Sequence, residues 1–407
     1  MLEFEVAQAR LIECARQART ALPEPETESC PIYRAVGRVL AQPLIAARDL
    51  PPADNSAMDG YAVRVVDCNA QRRLPVQQRC YAGDVPQPLR SGQAIRVFTG
   101  SLIPPGADAV VMQEDCEENE EGVLVRQLPA HGQHIRRQGE DVRAGTVLVD
   151  AGVRLATAHV GMLAAQGFSE VPVWRRLRVG VLTTGDELIA PGVPATPEKI
   201  YDSNRPMLCS LVEQMGATVH ASLHAPDDDE ALQCAIRQLV ASCELVLTVG
   251  GVSVGERDRV KPVLESLGGE LDLWKVRMKP GKPVALGRVG PVPVVCLPGN
   301  PVSAYAVFTV LVSPVIRVLQ RRCTVLPAAV SATLRANRKY SGSRDDFLRV
   351  QARVTDDGRL EVHPFRAQSS GIMSSLPWAD GLARLRAGAE YADGDRVTYY
   401  PFSCWLA

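Results

Sequence analysis

The sequence predicts a multidomain α/β protein: a doubly wound parallel α/β domain, a β-rich insertion before it, a mixed linking segment, and a small β domain after it. Three observations carry that prediction. From Leu177 to about Gln320, apolar strand-like runs alternate with helical patterns, as βαβ units around a buried parallel sheet do. Three of those runs (177–182, 245–249 and 293–297) open into loops of glycine, proline and small polar residues. On both sides of this segment the texture changes to short β-like runs broken by Gly and Pro.

Each element has a local reason. Val6, Ala9, Leu11, Ile12 and Ala15 recur at helical spacing and stop before Pro23 and Pro25, which predicts an opening helix. From about Leu50 to Asp141, runs such as 94–98, 109–112 and 122–128 predict a compact β unit. A helix follows from about Ala156 to Gln166, stopped by Gly167. Asn204-Arg205-Pro206 opens another with a capping residue and an early proline, and Gly216 closes it. Asp228–Asp229 opens a further helix running to Ala241. Beyond Gln320 the helical periodicity ends, and 331–334, 347–354, 360–362 and 396–400 predict strands.

Composition excludes several classes of function. A chain of 407 residues is expected to hold about two to four domains. Lys+Arg of 45 against Asp+Glu of 46 leaves no basic field for nucleic acid, and 5% aromatics is too few for base-stacking platforms. Glu3 and Glu5 replace the basic region of a signal peptide, and no uninterrupted apolar segment is expected to span a bilayer. The expected location is the cytoplasm. Eleven cysteines without a C-x-x-C pair argue against a disulfide framework or zinc cluster, and Cys209, Cys234 and Cys296 are expected as small buried hydrophobes. The pairs His131/His134 and His220/His224 lack a third ligand, so structural or surface roles are expected.

The chemistry concentrates in the loops. After the 245–249 run, Gly250, Gly251 and Gly255 allow close backbone approach to an anion, and Glu256 and Asp258 offer the hard oxygens that Mg²⁺ prefers. This is not a Walker A loop, because Glu256 follows Gly255 where Lys is required. Glu187, Asp227 and Asp258 all follow strands of one segment and are expected to meet above the sheet edge as metal ligands; Asp228 and Asp229 are expected to cap a helix. Residues 275–283 place Lys275, Lys279 and Lys282 in a loop stiffened by Pro280, Gly281 and Pro283, suited to a polyanion. Residues 54–61, by physics alone, form a tight turn. Gly251 to Gly255 also matches the G-x-S-x-G nucleophile turn around Ser253. Its triad histidine would have to be His363, which lies in the β-rich tail and outside the α/β segment.

Taken together, these stretches resemble the molybdopterin molybdenumtransferase family, which includes bacterial MoeA and the gephyrin E domain. The resemblance rests on NSAMDGYA at 55–62, TGSLIPPGADAVVMQE at 99–114, GEDVRAG at 139–145 and TTGDEL at 183–188. It continues through IYDSNRPML at 200–208, GGVSVGERD at 250–258, KPGKP at 279–283 and LPGNPVSA at 297–304. It implies a MogA-like doubly wound α/β domain at 177–326, a β-barrel at 327–407, a β-rich inserted domain at 47–141, and a discontinuous linking, dimer-forming domain at 1–46 with 142–176. It further implies a homodimer that inserts molybdenum into adenylylated molybdopterin with Mg²⁺, using molybdate and releasing AMP. The cleft would join the α/β domain of one subunit to the inserted domain of its partner. Implied partners are the adenylyltransferase that makes the substrate and proteins that mature molybdoenzymes.

By position the resemblance points to Asp59, Thr99, Asp141, Glu187, Asp227, Asp258, Lys275, Lys279, Pro298, Pro301, Arg349 and Ser370 as functional residues. Ser369 stands where many members have glycine. Two alternatives stay open from sequence: a non-catalytic scaffold on the same fold, and a serine hydrolase using Ser253. The related adenylyltransferase shares only the α/β domain, and the extra flanking domains favour the insertion step.

Overall fold

A computed structural model describes residues 1–251 and 259–407, with the backbone alone for 270–274. The α/β domain is built on six strands: β1 (Arg178–Thr184), β2 (Thr218–Ala225), β3 (Leu245–Val249), β4 (Glu270–Lys275), β5 (Pro283–Val289) and β6 (Val292–Leu297). Their order is β2-β1-β3-β6-β5-β4. β1 pairs in parallel with β2 and β3, and β3 with β6, whereas β5 and β4 join as antiparallel edge strands. β1, β3 and β6 are buried almost throughout because helices cover both faces; β2, at the edge, alternates exposed and half-buried positions.

The 275–283 segment is not the free charged loop expected. It contains the end of β4, the start of β5 and, between them, a two-residue strand, Met278–Lys279, paired in parallel with Asp345–Asp346. The helix expected to be capped by Asn204 spans Asn204–Gln214, but Asn204 does not cap it. Asp202 takes that role, its Oδ1 accepting from the Arg205 amide at 3.0 Å. The helix Asp229–Ser242 begins as expected, with Asp228 Oδ1 accepting from the Ala231 amide at 2.8 Å.

Pro301–Val307, a π turn at Phe308–Val312, and Ser313–Leu319 form one continuous buried rod. Contrary to expectation, this stretch is long and apolar enough to cross a membrane by length and composition; it is 94% buried inside the α/β core. Pro314 has no N–H and would leave the Val310 carbonyl short of its helical partner. The chain widens there into the π turn, and Gln8 Nε2 donates to Val310 O at 2.7 Å.

Gln8 belongs to the opening helix Phe4–Ala21, whose apolar face (Phe4, Ala7, Leu11, Ile12, Ala15, Ala18) joins the α/β core. A separate core joins the two linking stretches: Thr27–Pro31 pairs with Glu170–Trp174, Leu44–Ile45 pairs with Val147–Val149, and Ile32, Leu40, Leu155 and Leu163 fill the space between them. The insertion carries a four-stranded sheet ordered Val76–Cys80, Ala94–Val97, Gly60–Val63, Ala109–Met112.

At the C-terminal end, Asp345–Val354, Leu360–Pro364, Val330–Leu334, Arg396–Pro401 and Gly381–Leu385 pair in that order. Gly381–Leu385 returns to Asp345–Val354, which closes a five-stranded barrel. Phe4 and Phe347, with ring centroids 5.0 Å apart, tie the barrel to the opening helix. None of the eleven cysteines, all among the described residues, is joined in a disulfide; Cys296 is buried as expected, Cys209 is half-buried, and Cys234 is exposed.

Candidate active site

The strand order creates the site. From β1 the sheet extends to β2 on one side and β3 on the other, so the order reverses there and a crevice opens above the carboxyl ends of β1 and β3. The loops leaving the strands converge on it. Gly250, at φ +97°, approaches so closely that a Cβ there would lie 2.7 Å from the Thr184 carbonyl oxygen. A Cβ on Gly299 would lie 3.9 Å from Gly250 Cα. Asn204 Nδ2 donates to Gly299 O at 2.7 Å, and Thr183 Oγ1 donates to Asp202 Oδ2 at 2.7 Å. The Asp227 amide donates to Asp186 Oδ1 at 3.1 Å. Asp202 and Asn204 are buried polar residues; the sequence pointed to Asn204 only as a helix cap and did not single out Asp202, because their partners lie in distant segments.

The predicted carboxylates fall as follows. Glu187 folds back so that its Oε2 would lie 2.5 Å from a Cβ on Gly185. Asp227 is joined to the β1 loop through Asp186. Among the described residues no three His, Cys, Asp or Glu side chains form a ready metal cage. Mg²⁺ does not require one, since it commonly takes one or two carboxylates and completes its shell with phosphate oxygens and water. Glu187 and Asp227, on neighbouring strand-end loops, fit that donor set. Ser253, Gly255, Glu256 and Asp258 lie outside the described residues. Gly251 adopts φ +63°, where a Cβ would strike Val260 Cγ2 at 2.6 Å. Pro298 is buried at the end of β6, and Pro301 occupies the first turn of a helix capped by Asn300. His363 lies on the barrel, 3.7 Å from Glu361, on a domain separate from the sheet that bears the glycine loop.

A cavity of ≈ 730 Å³ opens at the seam between the α/β domain and the barrel, lined by Lys279, Lys282, Ser303, Arg338, Arg344, Arg366 and Ser370, among others. Lys279 Nζ lies 2.9 Å from Asp346 Oδ2. Lys275 is exposed, and its carbonyl accepts from the Leu2 amide at 2.9 Å. Arg349 departs from expectation: it is 0% exposed and stands behind the cavity wall. It donates from Nε to Ser375 Oγ and from Nη2 to Ser369 O, both at 3.1 Å, and burial pushes its pKa down to about 10. Ser369 has no left-handed backbone, so this loop does not require the glycine usual there.

In the insertion, Asp59 Oδ1 accepts from both the Thr99 amide (2.8 Å) and the Thr99 hydroxyl (2.9 Å). These bonds hold its pKa below the ordinary aspartate value. A Cβ at Gly60 would fall 1.9 Å from Val111 O, so the 54–61 turn is sterically fixed. Asp141 is exposed beside the Leu50–Val142 bridge. Among the described residues, no hydrogen bond, ion pair or ring contact joins 55–141 to the α/β strand-end loops.

This arrangement of inserted β unit, doubly wound α/β domain and closed barrel defines a MoeA-type multidomain protein. Family models match in chain order: MoeA N-terminal region (domain I and II) over 2–167, a probable molybdopterin binding domain over 180–318, and MoeA C-terminal region (domain IV) over 331–402. A molybdopterin molybdenumtransferase of Haemophilus influenzae is 37% identical over 99% of both chains. Molybdopterin molybdenumtransferase 2 of Mycobacterium tuberculosis is 40% identical over 86% of this chain and 89% of its own. The crystal structure of the molybdopterin biosynthesis moeA protein from Pyrococcus horikoshii OT3 superposes with TM-score 0.82 at 29% identity, covering 98% of this chain and 99% of that one. The chain belongs to the molybdopterin molybdenumtransferase family of enzymes.

Proposed function

We propose that this protein performs the molybdenum-insertion step of molybdenum cofactor biosynthesis. Adenylylated molybdopterin and molybdate are its substrates, AMP is released, and the metal is left on the pterin dithiolene. The observation that carries this reading is the continuity of two sites with different chemistry. The crevice of glycine turns and carboxylates suits nucleotide phosphates, and the cationic cavity beside it suits an oxyanion. Ser303, two residues past Pro301, lines the cavity, so both sites share the start of the Pro301–Val307 helix.

In this reading Gly250 and Gly251 bring backbone N–H groups to the phosphates, and Lys275, Lys279 and Lys282 supply countercharge. Glu187 and Asp227, with Asp258, would hold Mg²⁺, which supplies charge neutralisation on the phosphoanhydride oxygens. Pro298 and Pro301 fix the third turn, and Ser370 donates to molybdate. The dithiolene brings the sulfur ligands, so no cysteine of the chain is needed.

The same reading includes a cytoplasmic homodimer. Asp59, Thr99 and Asp141 stand exposed, away from the described strand-end loops of their own chain, and a partner's α/β domain would complete their site. The linking domain, 1–46 with 142–176, exposes Tyr33, Val36, Ile45 and Val147, an apolar surface suited to self-association. Incubation with adenylylated molybdopterin, Mg²⁺ and molybdate should yield AMP and metallated cofactor; neither product would reject the reading. Asp258→Ala should lose insertion while sedimentation still reports a dimer.

A further inference from the structure

Several strand ends meet at one end of the inserted domain's sheet. Val76–Cys80 runs parallel to Ala94–Val97, and Gly60–Val63 runs antiparallel to both Ala94–Val97 and Ala109–Met112. The residues just beyond Cys80, Val97 and Met112 therefore share that end with Asp59, which precedes Gly60. Two of them carry rings: Tyr81 and Phe98 stack with centroids 4.5 Å apart and planes 6° apart. Buried Ser101 ties their two segments together, its Oγ donating to Cys80 O at 2.8 Å and accepting from the Phe98 amide at 3.0 Å. The buried Arg96 guanidinium lies 5.0 Å from the Phe98 ring and 4.8 Å from the Tyr61 ring. Tyr81 is nevertheless 55% exposed and belongs to neither hydrophobic core of the insertion. Core packing does not explain a ring set this firmly at the surface.

We infer that the Tyr81–Phe98 stack is a platform for a planar, amino-bearing nitrogen heterocycle. A flat ring laid on Tyr81 would bury apolar area on both partners, and any such heterocycle presents a π face to stack. The amino group has an acceptor close by. Thr99, the residue after Phe98, bonds Asp59 through Oδ1 alone, and Oδ2 takes no hydrogen bond among the described residues. An anionic carboxylate there repels phosphate and attracts an N–H donor, so the ring end of a ligand is selected over its charged end. A heterocycle of the nucleotide-tagged pterin, whether purine or pterin, has this chemistry. The inference rests on the insertion reading, in which this domain completes a partner's crevice, and adds the ring as what it grips. Aromatic content of 5% excludes rows of such platforms for nucleic acid, but one suffices for one ring.

Titration of the whole protein with AMP and, separately, with metal-free molybdopterin reads heterocycle binding without turnover. Tyr81→Ala should weaken one of the two by about tenfold, the scale of one base–ring stack, and the ligand affected tells whether purine or pterin lies on the ring. Tyr81→Phe keeps the ring and should stay within about twofold of wild type. Melting temperature should hold in both variants because Tyr81 lies outside the core, and molybdate affinity should not move. In the coupled reaction Tyr81→Ala should raise KM for adenylylated molybdopterin and leave KM for molybdate within about twofold. The inference is overturned if wild type binds neither ligand, if Tyr81→Ala matches wild type for both, or if Tyr81→Phe weakens binding as much as Tyr81→Ala. Tyr81-dependent binding of either ligand by a protein that releases no AMP would uphold the platform while the insertion reading fails.

Discussion

One carboxylate oxygen of Asp59 accepts both donors of Thr99, the amide at 2.8 Å and the hydroxyl at 2.9 Å, across forty positions of sequence. The paired bonds fix an exposed anion in the inserted domain and keep it ionised. Asp59 has a depressed pKa, so its charge is complete above the ordinary aspartate value and is lost only as pH falls through the lowered one. No change in activity between pH 5 and 8 should therefore trace to Asp59. Thr99→Ser keeps both donors and should keep turnover. Thr99→Val should lose about tenfold in kcat/KM with little change in melting temperature. Equal activity in both variants would leave the hydroxyl without a role.

Asn204 links the helix after β1 to the turn after β6 through its bond to Gly299 O. Replacing it with alanine removes the brace but no charge. Asn204→Ala should raise KM for the nucleotide-tagged pterin several-fold and leave molybdate affinity unaltered. A variant affected equally toward both substrates would show that Asn204 supports the whole domain instead of one turn.

Arg349 holds its loop through Ser369 O and Ser375 Oγ and bonds Gln368 through its own backbone. Lysine keeps the charge without the fork. Arg349→Lys should weaken molybdate binding and also lower thermal stability, whereas Arg366→Ala should weaken binding alone. Melting curves measured beside titrations separate the two residues.

Gln8 completes the Val310 carbonyl that Pro314 cannot serve. Gln8→Leu should cost about 1–3 kcal/mol, the range for a buried acceptor left without a partner. Pro314→Ala in the same chain should restore part of it by supplying an N–H. Urea unfolding of the single and double variants measures both effects, and a neutral Gln8→Leu would mean the π turn satisfies Val310 unaided.

The sequence by itself determined the strands β1, β3 and β6, the helices between them and the turns that leave them. Each of these follows from a local cause: β-branched runs, glycines at φ values other residues avoid, and Asp228 at a helix start. The same locality explains what it left out. β4 and β5 flank a segment whose charges and prolines resemble a loop, and Gly381–Leu385, opened by a glycine and interrupted by Arg384, does not announce itself without its barrel neighbours. Tertiary structure alone decided that Arg349 is buried, that Asn204 braces another strand's turn, and that Arg338, Arg344 and Arg366 share a hollow with Lys282. Burial and charge pairing depend on which distant segments pack together, and an arginine looks the same in sequence whether it faces a carboxylate, a ring or an open cavity.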